Sequence, residues 1–261
     1  MSRRQRERAV RGAQYLVLVA AVGAFVALAD WKRIGDAFFD VEVIGELFPD
    51  LITVALKNTV LYTLCAFAFG LVLGLVVALM WLSPVAPYRA LATVYIEFFR
   101  GVPALLVLIG FGYGIPIALN TELPGGILGT ITIALGLVAA AYMAETFRAG
   151  IQAVPAGQME AARSLGMSHT RAMVSIVIPQ AFRIILPPLT NELILLTKDS
   201  SLVYLLGVTL PTRELAKFGR DALNQYVSMT PILVAGLAYL IITVPLGIVV
   251  RRLEAQQAKA R

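Results

Sequence analysis

Two carboxylates and an ammonium lie close together in a stretch of sequence that is otherwise mostly apolar. Glu192 and Asp199 are seven residues apart, and Lys198 directly precedes Asp199. Seven residues of α-helix make two turns, about 10.5 Å, so both carboxylates would lie on one face. The three groups could hold a zwitterion, with the lysine on its carboxylate and an acid on its amine. A buried structural triad between helices explains them equally well, because burial demands mutual pairing in either case. A proton relay is a weaker third interpretation.

Two other short segments share the order aromatic, Glu, aromatic, Arg, Gly. Glu97 and Arg100 are three residues apart in the first segment, which is close enough for an ion pair on one helix. A similar unit recurs from Glu145 to Arg148. An interfacial ion pair within a belt of aromatic residues explains most of this pattern. Asn58 is a further polar residue, near the start of a long apolar stretch, and it could line a cavity.

The sequence contains no pattern typical of an enzyme, metal or nucleotide site. Cys65 is the only cysteine and His169 the only histidine, which excludes an intramolecular disulfide and a metal site built on cysteines. No P-loop, zinc-binding HExxH motif or nucleophile elbow is present. Catalytic and metal-binding residues are therefore not expected, and any energy source must lie in another chain. The net charge of +6 comes from scattered basic residues, which disfavours nucleic acid as a partner.

The composition is that of a membrane protein, because 59% of the residues are hydrophobic and only 15% are charged. Ordinary globular domains have about 45–50% apolar and about 25% charged residues. A bilayer span needs roughly 20 apolar residues. The sequence predicts an all-α, polytopic protein with six spans, at residues 13–29, 58–82, 102–119, 127–143, 184–210 and 231–250. Gly70 and Gly74 form a GxxxG pattern in the second span, which favours close packing against a neighbouring helix.

The first span has the basic flank of a cleaved signal peptide. However, its apolar run exceeds the roughly 7–15 residues of a signal-peptide core and no clear cleavage site follows it, so we expect a retained helix. Both ends of the chain are basic, through Arg3, Arg4, Arg6, Arg8 and Arg11 and then Arg251, Arg252, Lys259 and Arg261. These charges predict that both termini lie in the cytoplasm, and the acidic segment 32–50 then suits the outside.

The longest predicted cytoplasmic loop lies between Gly150 and Leu186, and its residues 156–180 have the pattern of two short helices joined by a turn. Its first half is rich in alanine, and Glu160 and Arg163 are spaced to pair on one helix. Gly166 is typical of a helix end, and Pro179 is expected to end the second helix. On pattern alone this is a solvated connector, although a short helix held away from the bilayer would also suit contact with another protein.

Within this loop the sequence resembles a known family. Glu160-Ala161-Ala162, three residues, Gly166, nine residues, Ile176, one residue and Ile178-Pro179 match the EAA signature of ABC importer membrane subunits, with Ile178 where leucine is usual. The stretches "YIEFFRGVP" and "IPQAFRIILPPLTNELILLTKDSSL" are similar to the polar amino-acid branch of that family. The resemblance covers roughly residues 51–252, so the first span lies outside the usual five-helix core.

The resemblance implies a type I ABC importer transmembrane domain with one additional N-terminal helix. Its parts would be a basic tail (1–12), the additional helix (13–31), an extracytoplasmic linker (32–50), the importer domain (51–252) with its coupling loop (156–180), and a cytoplasmic tail (253–261). Two permease subunits, the second a copy of this chain or a homologue, would form the translocation path. Two ABC ATPase subunits would bind ATP and Mg beneath them, and an extracytoplasmic solute-binding protein would deliver the solute.

The resemblance also implies roles for individual residues. Four residues match the coupling signature and would act in contact with the ATPase: Glu160, Ala161, Ala162 and Gly166. Three residues match the family's TNxxIxLxKDTSL stretch, in which Ser200 here replaces a threonine: Glu192, Lys198 and Asp199. We expect these three at or near the substrate path, with Asn58 facing them.

The expected function is that of a multi-pass permease subunit of a bacterial or archaeal cytoplasmic membrane, not an enzyme. It would move a polar amino acid inward by alternating access, driven through the coupling loop by ATP hydrolysis in its partner. One alternative is a permease for another small polar solute, such as an opine or an osmolyte. An ATPase-independent channel or a proton-coupled carrier is a less favoured alternative, since a fold alone does not fix a function.

Overall fold

The computed structural model describes residues 3–259, and all regular structure in this range is helical. Parts of the predicted tails, including Arg261, lie outside the described residues. The α-helices are α1 (Arg3–Leu28), α2 (Trp31–Phe38), α3 (Val41–Asp50), α4 (Lys57–Leu82), α5 (Ala86–Gly101), α6 (Ala104–Ile109), α7 (Ile115–Leu119), α8 (Gly126–Gln152), α9 (Ala156–Ser164), α10 (His169–Ala172), α11 (Ile178–Asp199), α12 (Leu215–Tyr226) and α13 (Thr230–Lys259). The predicted all-α class is confirmed for this part of the chain.

Shorter helical turns join several of these helices. π-helical turns continue α3 into α4 (Leu51–Leu56), α6 into α7 (Gly110–Gly114) and α10 into α11 (Met173–Val177). After α11, the chain forms 3₁₀ turns at Ser200–Leu206 and Leu210–Thr212 before α12 begins. Short π turns inside helices often occur at functional sites. Two of the three lie at positions that the sequence singled out, because Leu51–Leu56 directly precedes the start of α4, where Asn58 lies, and Met173–Val177 lies in the predicted coupling loop.

Five stretches of helix in residues 3–259 are long and apolar enough to cross a bilayer: Val10–Leu28, Trp31–Leu82, Gly126–Gln152, His169–Leu206 and Thr230–Gln257. The predicted span at 102–119 is one arm of a bent pair, in which Ala86–Gly101 and Ala104–Leu119 differ in direction by 101°. The bend falls at Pro103, which lacks the amide hydrogen that continues a helix and holds the preceding residue in an extended conformation. The total of six spans and the cytoplasmic position of the termini remain predictions.

Segment 32–50, predicted as a linker, is largely helical. The Asp30 carboxylate accepts a hydrogen bond from the amide of Arg33 at the start of α2. The Asp40 carboxylate does the same for the amides of Glu42 and Val43 at the start of α3. Carboxylates stabilise helix N-termini because they accept bonds from the unpaired amides there. Two acidic residues in and beside the segment predicted as a linker therefore begin helices.

Helices α4 and α8 pack closely, as the GxxxG pattern predicts. A Cβ placed on Gly70 would lie 3.1 Å from the Cβ of Ala139. One placed on Gly74 would lie 2.9 Å from both the carbonyl oxygen of Ala140 and the Cβ of Met143. The glycines let the two backbones approach, which is how small residues stabilise helix pairs in a membrane. The predicted packing role of Gly70 and Gly74 is confirmed.

Gly74→Ala is expected to destabilise the protein, because the new methyl group fits only if α4 and α8 move apart. Overpacking of this kind costs about 1–3 kcal/mol, which should lower the midpoint of thermal unfolding in detergent. Gly236→Ala is the matched control, since Gly236 lies in α13 and an added Cβ there meets nothing within 4 Å. The control should unfold at an unchanged or higher temperature. An equal loss in both variants would contradict the packing role.

The buried apolar residues form two main cores. The first core joins α4, α5, α6, α8 and α11 and includes Ile96, Leu108, Ile131, Leu196 and Val203. The second core joins α3, α12 and α13 and includes Val43, Leu47, Leu215, Phe218 and Ala238. Leu51 and Ala55 belong to the second core, whereas Tyr62 belongs to the first. The continuous helix from α3 to α4 therefore passes from one packed unit to the other, with its π turn at the junction.

A contact between α11 and α13 distinguishes the two ends of the bundle. The side-chain amide of Gln257 donates a hydrogen bond to the carbonyl of Arg183. The C-terminal end of α13 therefore lies beside the N-terminal end of α11. The predicted coupling loop leads into α11 at this end, whereas the chain after Asp199 lies at the opposite end of the bundle.

Candidate functional site

Glu192 and Asp199 line the same cavity, as their spacing of seven residues predicts. The cavity has a volume of about 420 Å³ and lies between α11, α8 and the turn that joins α5 to α6. Both carboxylate side chains are partly buried, and most of the remaining wall is apolar, with residues such as Leu135, Val138 and Leu196. The prediction that the two acids share one face is confirmed.

A cation reaches this cavity from α5. Arg100 lines the wall, forms an ion pair with Glu145 of α8 at 2.9 Å, and lies 5.6 Å from the centre of the Tyr142 ring. The predicted ion pair between Glu97 and Arg100 is therefore wrong, and Glu97 is exposed. Arg100 lies in the last turn of α5, and its side chain extends to α8 instead of back toward Glu97 on its own helix. The ion pair thus joins the two aromatic segments to each other.

Lys198 does not line this cavity, although its place in the sequence suggested that it would accompany the carboxylates. Its side chain is exposed, because adjacent helix positions point about 100° apart and Asp199 occupies the cavity side. Among the described residues, no ion pair joins Lys198 to Glu192 or Asp199. The three groups therefore do not form a closed triad, and Arg100 supplies the cation of the cavity.

Asn58 does not face the carboxylates either. Its side-chain amide donates hydrogen bonds to the carbonyls of Pro211 and Arg213, at 2.8 and 3.0 Å. The predicted position of Asn58 is wrong because the first turn of α4 meets the segment that precedes α12, away from the cavity. Asn58 therefore holds a backbone segment in place rather than lining the cavity.

The cavity presents the kinds of side chain that bind the two ends of a small zwitterion. An arginine guanidinium binds a carboxylate through paired N–H donors, and a carboxylate accepts hydrogen bonds from an ammonium. Arg100 therefore suits the acid of such a molecule, and Glu192 or Asp199 suits its amine. Arg100 and Tyr142 were missed as site residues. The sequence did carry one signal for a cavity beside Arg100, which is the helix break at Pro103. Irregular backbone at membrane depth is tolerated only where it is buried in protein or lines a cavity.

A second polar site, around Glu214, lies away from the cavity and was also missed. The Glu214 carboxylate accepts hydrogen bonds from the amides of Ala216 and Lys217, at 2.6 and 2.7 Å, and from the Tyr239 hydroxyl at 2.9 Å. Burial raises the pKa of Glu214 to about 7, because water no longer stabilises the charged form. Glu214 thus caps α12 and connects it to α13. Glutamate is not a preferred capping residue, so the sequence carried no clear signal for it.

The predicted coupling loop contains the two expected helices. Helix α9 ends at Ser164, and Gly166 follows with a left-handed backbone at φ 84°. The amide of Met167 donates a hydrogen bond to the carbonyl of Ala162 at 3.1 Å, which is the bond that closes a glycine-terminated helix. Ser168 then caps α10. The turn at Gly166 therefore fixes the direction in which the chain leaves α9.

The second half of the loop differs from the prediction. Pro179 does not end a helix, because α10 continues through the π turn Met173–Val177 into α11. Proline lies at the start of α11, where its missing amide hydrogen costs least. The predicted pairing of Glu160 with Arg163 is absent from the described residues.

The four residues of the predicted coupling signature differ in their exposure to solvent. Glu160, Ala161 and Gly166 are exposed, whereas Ala162 is buried. Ala162 therefore attaches α9 to the bundle, and the other three remain accessible at the end of the bundle. Because accessible residues at one end are what contact with a further protein requires, this loop is the second candidate functional surface.

A family whose members are described as "Binding-protein-dependent transport system inner membrane component" matches residues 70–259. The chain belongs to this family. It is a multi-pass component of the inner, cytoplasmic membrane, and the resemblance to ABC importer membrane subunits is confirmed.

Individual permeases show the relationship over most of the chain. The probable glutamine ABC transporter permease protein GlnM of Bacillus subtilis is 38% identical over 203 residues, which are 78% of this chain and 91% of that protein. The glutamate/aspartate import permease protein GltK of Escherichia coli is 35% identical over 225 residues, 84% of this chain and 99% of that protein. The crystal structure of an amino acid ABC transporter with histidines matches with a TM-score of 0.73 and 32% identity, over 83% of this chain and 98% of that one.

Proposed function

We propose that this permease is the membrane-spanning subunit of an ATP-driven importer that carries a polar amino acid into the cell. The cavity that holds Arg100 together with Glu192 and Asp199 is the observation that carries the proposal. At neutral pH an α-amino acid carries one carboxylate and one ammonium, and the cavity offers a partner for each. The names of the related permeases, which concern glutamine, glutamate and aspartate, support the same class of solute.

The charges of the cavity favour a zwitterionic or cationic amino acid. Two carboxylates and one guanidinium line it, and the guanidinium is already paired with Glu145. A second negative charge on the solute would therefore lie near more acid than base, and like charges repel strongly where water is scarce. A side chain with an amide, an amine or a guanidinium would complement Glu192 or Asp199.

The energy for uptake would come from a separate ABC ATPase that binds ATP and Mg. We assign the docking surface for that ATPase to α9 and the turn at Gly166, with Glu160, Ala161 and Gly166 as contacts and Ala162 as the residue that fixes α9 to the bundle. A helix whose exit direction is set by a glycine turn moves as a unit, so a displacement imposed by the ATPase is passed into α11. The cavity residues Glu192 and Asp199 lie further along that same helix.

Transport would proceed by alternating access between two permease subunits, the second a copy of this chain or a homologue. An extracytoplasmic solute-binding protein would deliver the amino acid at the end of the bundle opposite the coupling loop. Solute binding must differ in free energy between the outward-open and inward-open states, because otherwise the solute cannot shift their populations. The partly paired Arg100 suits this requirement, since its partner can change between Glu145 and a solute carboxylate.

Reconstitution tests this function directly. The complete importer, with its ATPase and solute-binding protein, should take up an amino acid into proteoliposomes only when ATP is present on the ATPase side. The permease alone should take up none. Uptake by the permease alone would contradict the proposal in favour of a channel or carrier. Stimulation of ATP hydrolysis by an opine or an osmolyte, and by no amino acid, would instead change the class of solute.

A further inference from the structure

Residues 207–214, here called the strap, connect the two packed cores of the molecule at the end opposite the coupling loop. Leu206 and Val208 belong to the first core, and Leu215 belongs to the second. The strap begins at Gly207 in a left-handed conformation (φ 66°) and contains the 3₁₀ turn Leu210–Thr212. The 3₁₀ turn in the middle of the strap makes few apolar contacts, since Leu210 is 64% exposed.

The strap closes its own turn, in which the amide of Thr212 donates to the carbonyl of Thr209 at 3.1 Å, and side chains of another helix hold this turn in place. The Tyr62 hydroxyl donates a hydrogen bond to the carbonyl of Thr212 at 2.7 Å. Asn58 donates to the carbonyls of Pro211 and Arg213, as described above. The Asp50 carboxylate pairs with the Arg213 guanidinium at 2.7 Å. Three side chains of the continuous α3–α4 helix thus hold three successive residues of the strap, and we name them the clamp.

The clamp lies where the molecule passes from one core to the other. The π turn Leu51–Leu56, which contacts the 3₁₀ turn of the strap, is at the same boundary. Tyr62 belongs to the first core, whereas Arg213 lies over Phe218 of the second. A displacement of the two cores relative to each other would therefore break the bond from Tyr62 to Thr212 and leave the apolar packing within each core intact. Interfaces between packed units are where transitions of this kind occur.

The strap residue that pairs with Asp50 also carries a buried donor without a partner in the described part of the protein. The Arg213 side chain lies over the Phe218 ring at 4.8 Å, and its Nε is buried without a hydrogen-bond partner among the described residues. A buried donor without a partner costs free energy. Segments held by few apolar contacts open at a lower free energy than core helices. The strap is therefore a segment that can open at a lower free energy than the two cores.

We propose that Asp50, Asn58 and Tyr62 are positioning residues for transport, which hold the strap in one state of the cycle and release it in the other. The inference rests on the proposed function, because it assigns a moving part to alternating access. The strap acts through Asp199, since Ser200–Leu206 continues directly from that residue to the strap. Release of the strap therefore allows the chain beside the cavity to shift.

A reversible cross-link tests whether the strap must move. In a Cys65→Ser background, Asp50→Cys with Arg213→Cys joined by a reducible bis-methanethiosulfonate should lower ATP-dependent uptake by the complete importer more than about tenfold, because closure steps gate turnover. Reduction should restore uptake. The matched control is Lys217→Cys with Asp221→Cys, an ion-paired position one turn apart within α12, whose cross-link should leave uptake unchanged. Full uptake by the cross-linked Asp50–Arg213 pair would overturn the proposal.

A second measurement covers the case in which the unlinked double variant is already inactive. Tyr62→Phe removes one clamp bond and little volume, so it should raise ATP hydrolysis in the absence of solute several-fold, while the lost hydrogen bond lowers the unfolding midpoint slightly. A purely structural bond would lower the midpoint without raising hydrolysis, and that result would also overturn the proposal. Failure of the proposed function would appear differently, as a wild-type importer with no ATP-dependent amino-acid uptake.

Discussion

Asp199→Asn is expected to reduce amino-acid uptake strongly at low solute concentration, while the permease still assembles with its ATPase. Asparagine keeps the size of the side chain but removes the negative charge that faces the cavity. A hydrogen bond to a charged group is worth about 1.5–3 kcal/mol, so the loss of this one bond should reduce solute affinity by about 10–100-fold. Uptake of labelled amino acid into proteoliposomes measures the effect, and co-purification of the ATPase measures assembly.

Asp221→Asn is the matched control for this experiment. It makes the same chemical change on α12, where Asp221 pairs with Lys217 at a position that does not line the cavity. An ion pair between residues four apart on a helix contributes about 0.3–0.5 kcal/mol, so the control should transport at close to the wild-type rate. Unchanged uptake in the Asp199 variant would remove this residue from the solute site. Equal losses in both variants would show that the assay reports folding rather than binding.

The sequence predicted those parts of the site that depend on spacing within one helix. Seven residues between Glu192 and Asp199 make two turns, and the structure places both in one cavity. Lys198 could not be assigned in the same way, because adjacency in sequence means different directions on a helix. Arg100 lies 92 residues before Glu192 in the chain, and only the packing of α5 against α8 and α11 brings the two to one cavity. No local pattern contains that information.

The fold likewise has features that follow from local sequence and features that depend on contacts between distant residues. Apolar runs predicted the long helices, and the glycines of α4 predicted close packing, because both follow from local composition. The helical nature of segment 32–50 was missed because acidic residues serve equally in loops and as helix caps. Asn58 was misplaced for a different reason: a polar residue in an apolar stretch must find partners, but its partners are the carbonyls of Pro211 and Arg213, more than a hundred residues away. Local patterns therefore predicted helices and faces, and long-range polar contacts required the structure.

Gly166→Asp is expected to leave the membrane fold intact but to uncouple ATP hydrolysis from transport. Gly166 has a left-handed backbone, and an added Cβ would meet nothing within 4 Å, so the effect does not arise from a clash. Aspartate is among the residues that tolerate this conformation, but it is less favourable there than glycine, which strains the turn that directs the chain out of α9. The new carboxylate also adds a charge to the exposed surface assigned to the ATPase. Solute-stimulated ATP hydrolysis should fall, while the unfolding midpoint changes little.

Gly166→Asn separates the two causes. Asparagine has nearly the same size as aspartate, carries no charge, and is among the residues that tolerate the left-handed conformation best. If backbone strain dominates, solute-stimulated ATP hydrolysis should fall in both variants, and it should fall less in the asparagine variant. If the added charge dominates, only aspartate should release the ATPase during co-purification. Retention of both co-purification and solute-stimulated hydrolysis in the aspartate variant would show that this turn does not couple the two chains, and the docking surface would then have to be sought elsewhere on the end of the bundle that carries α9.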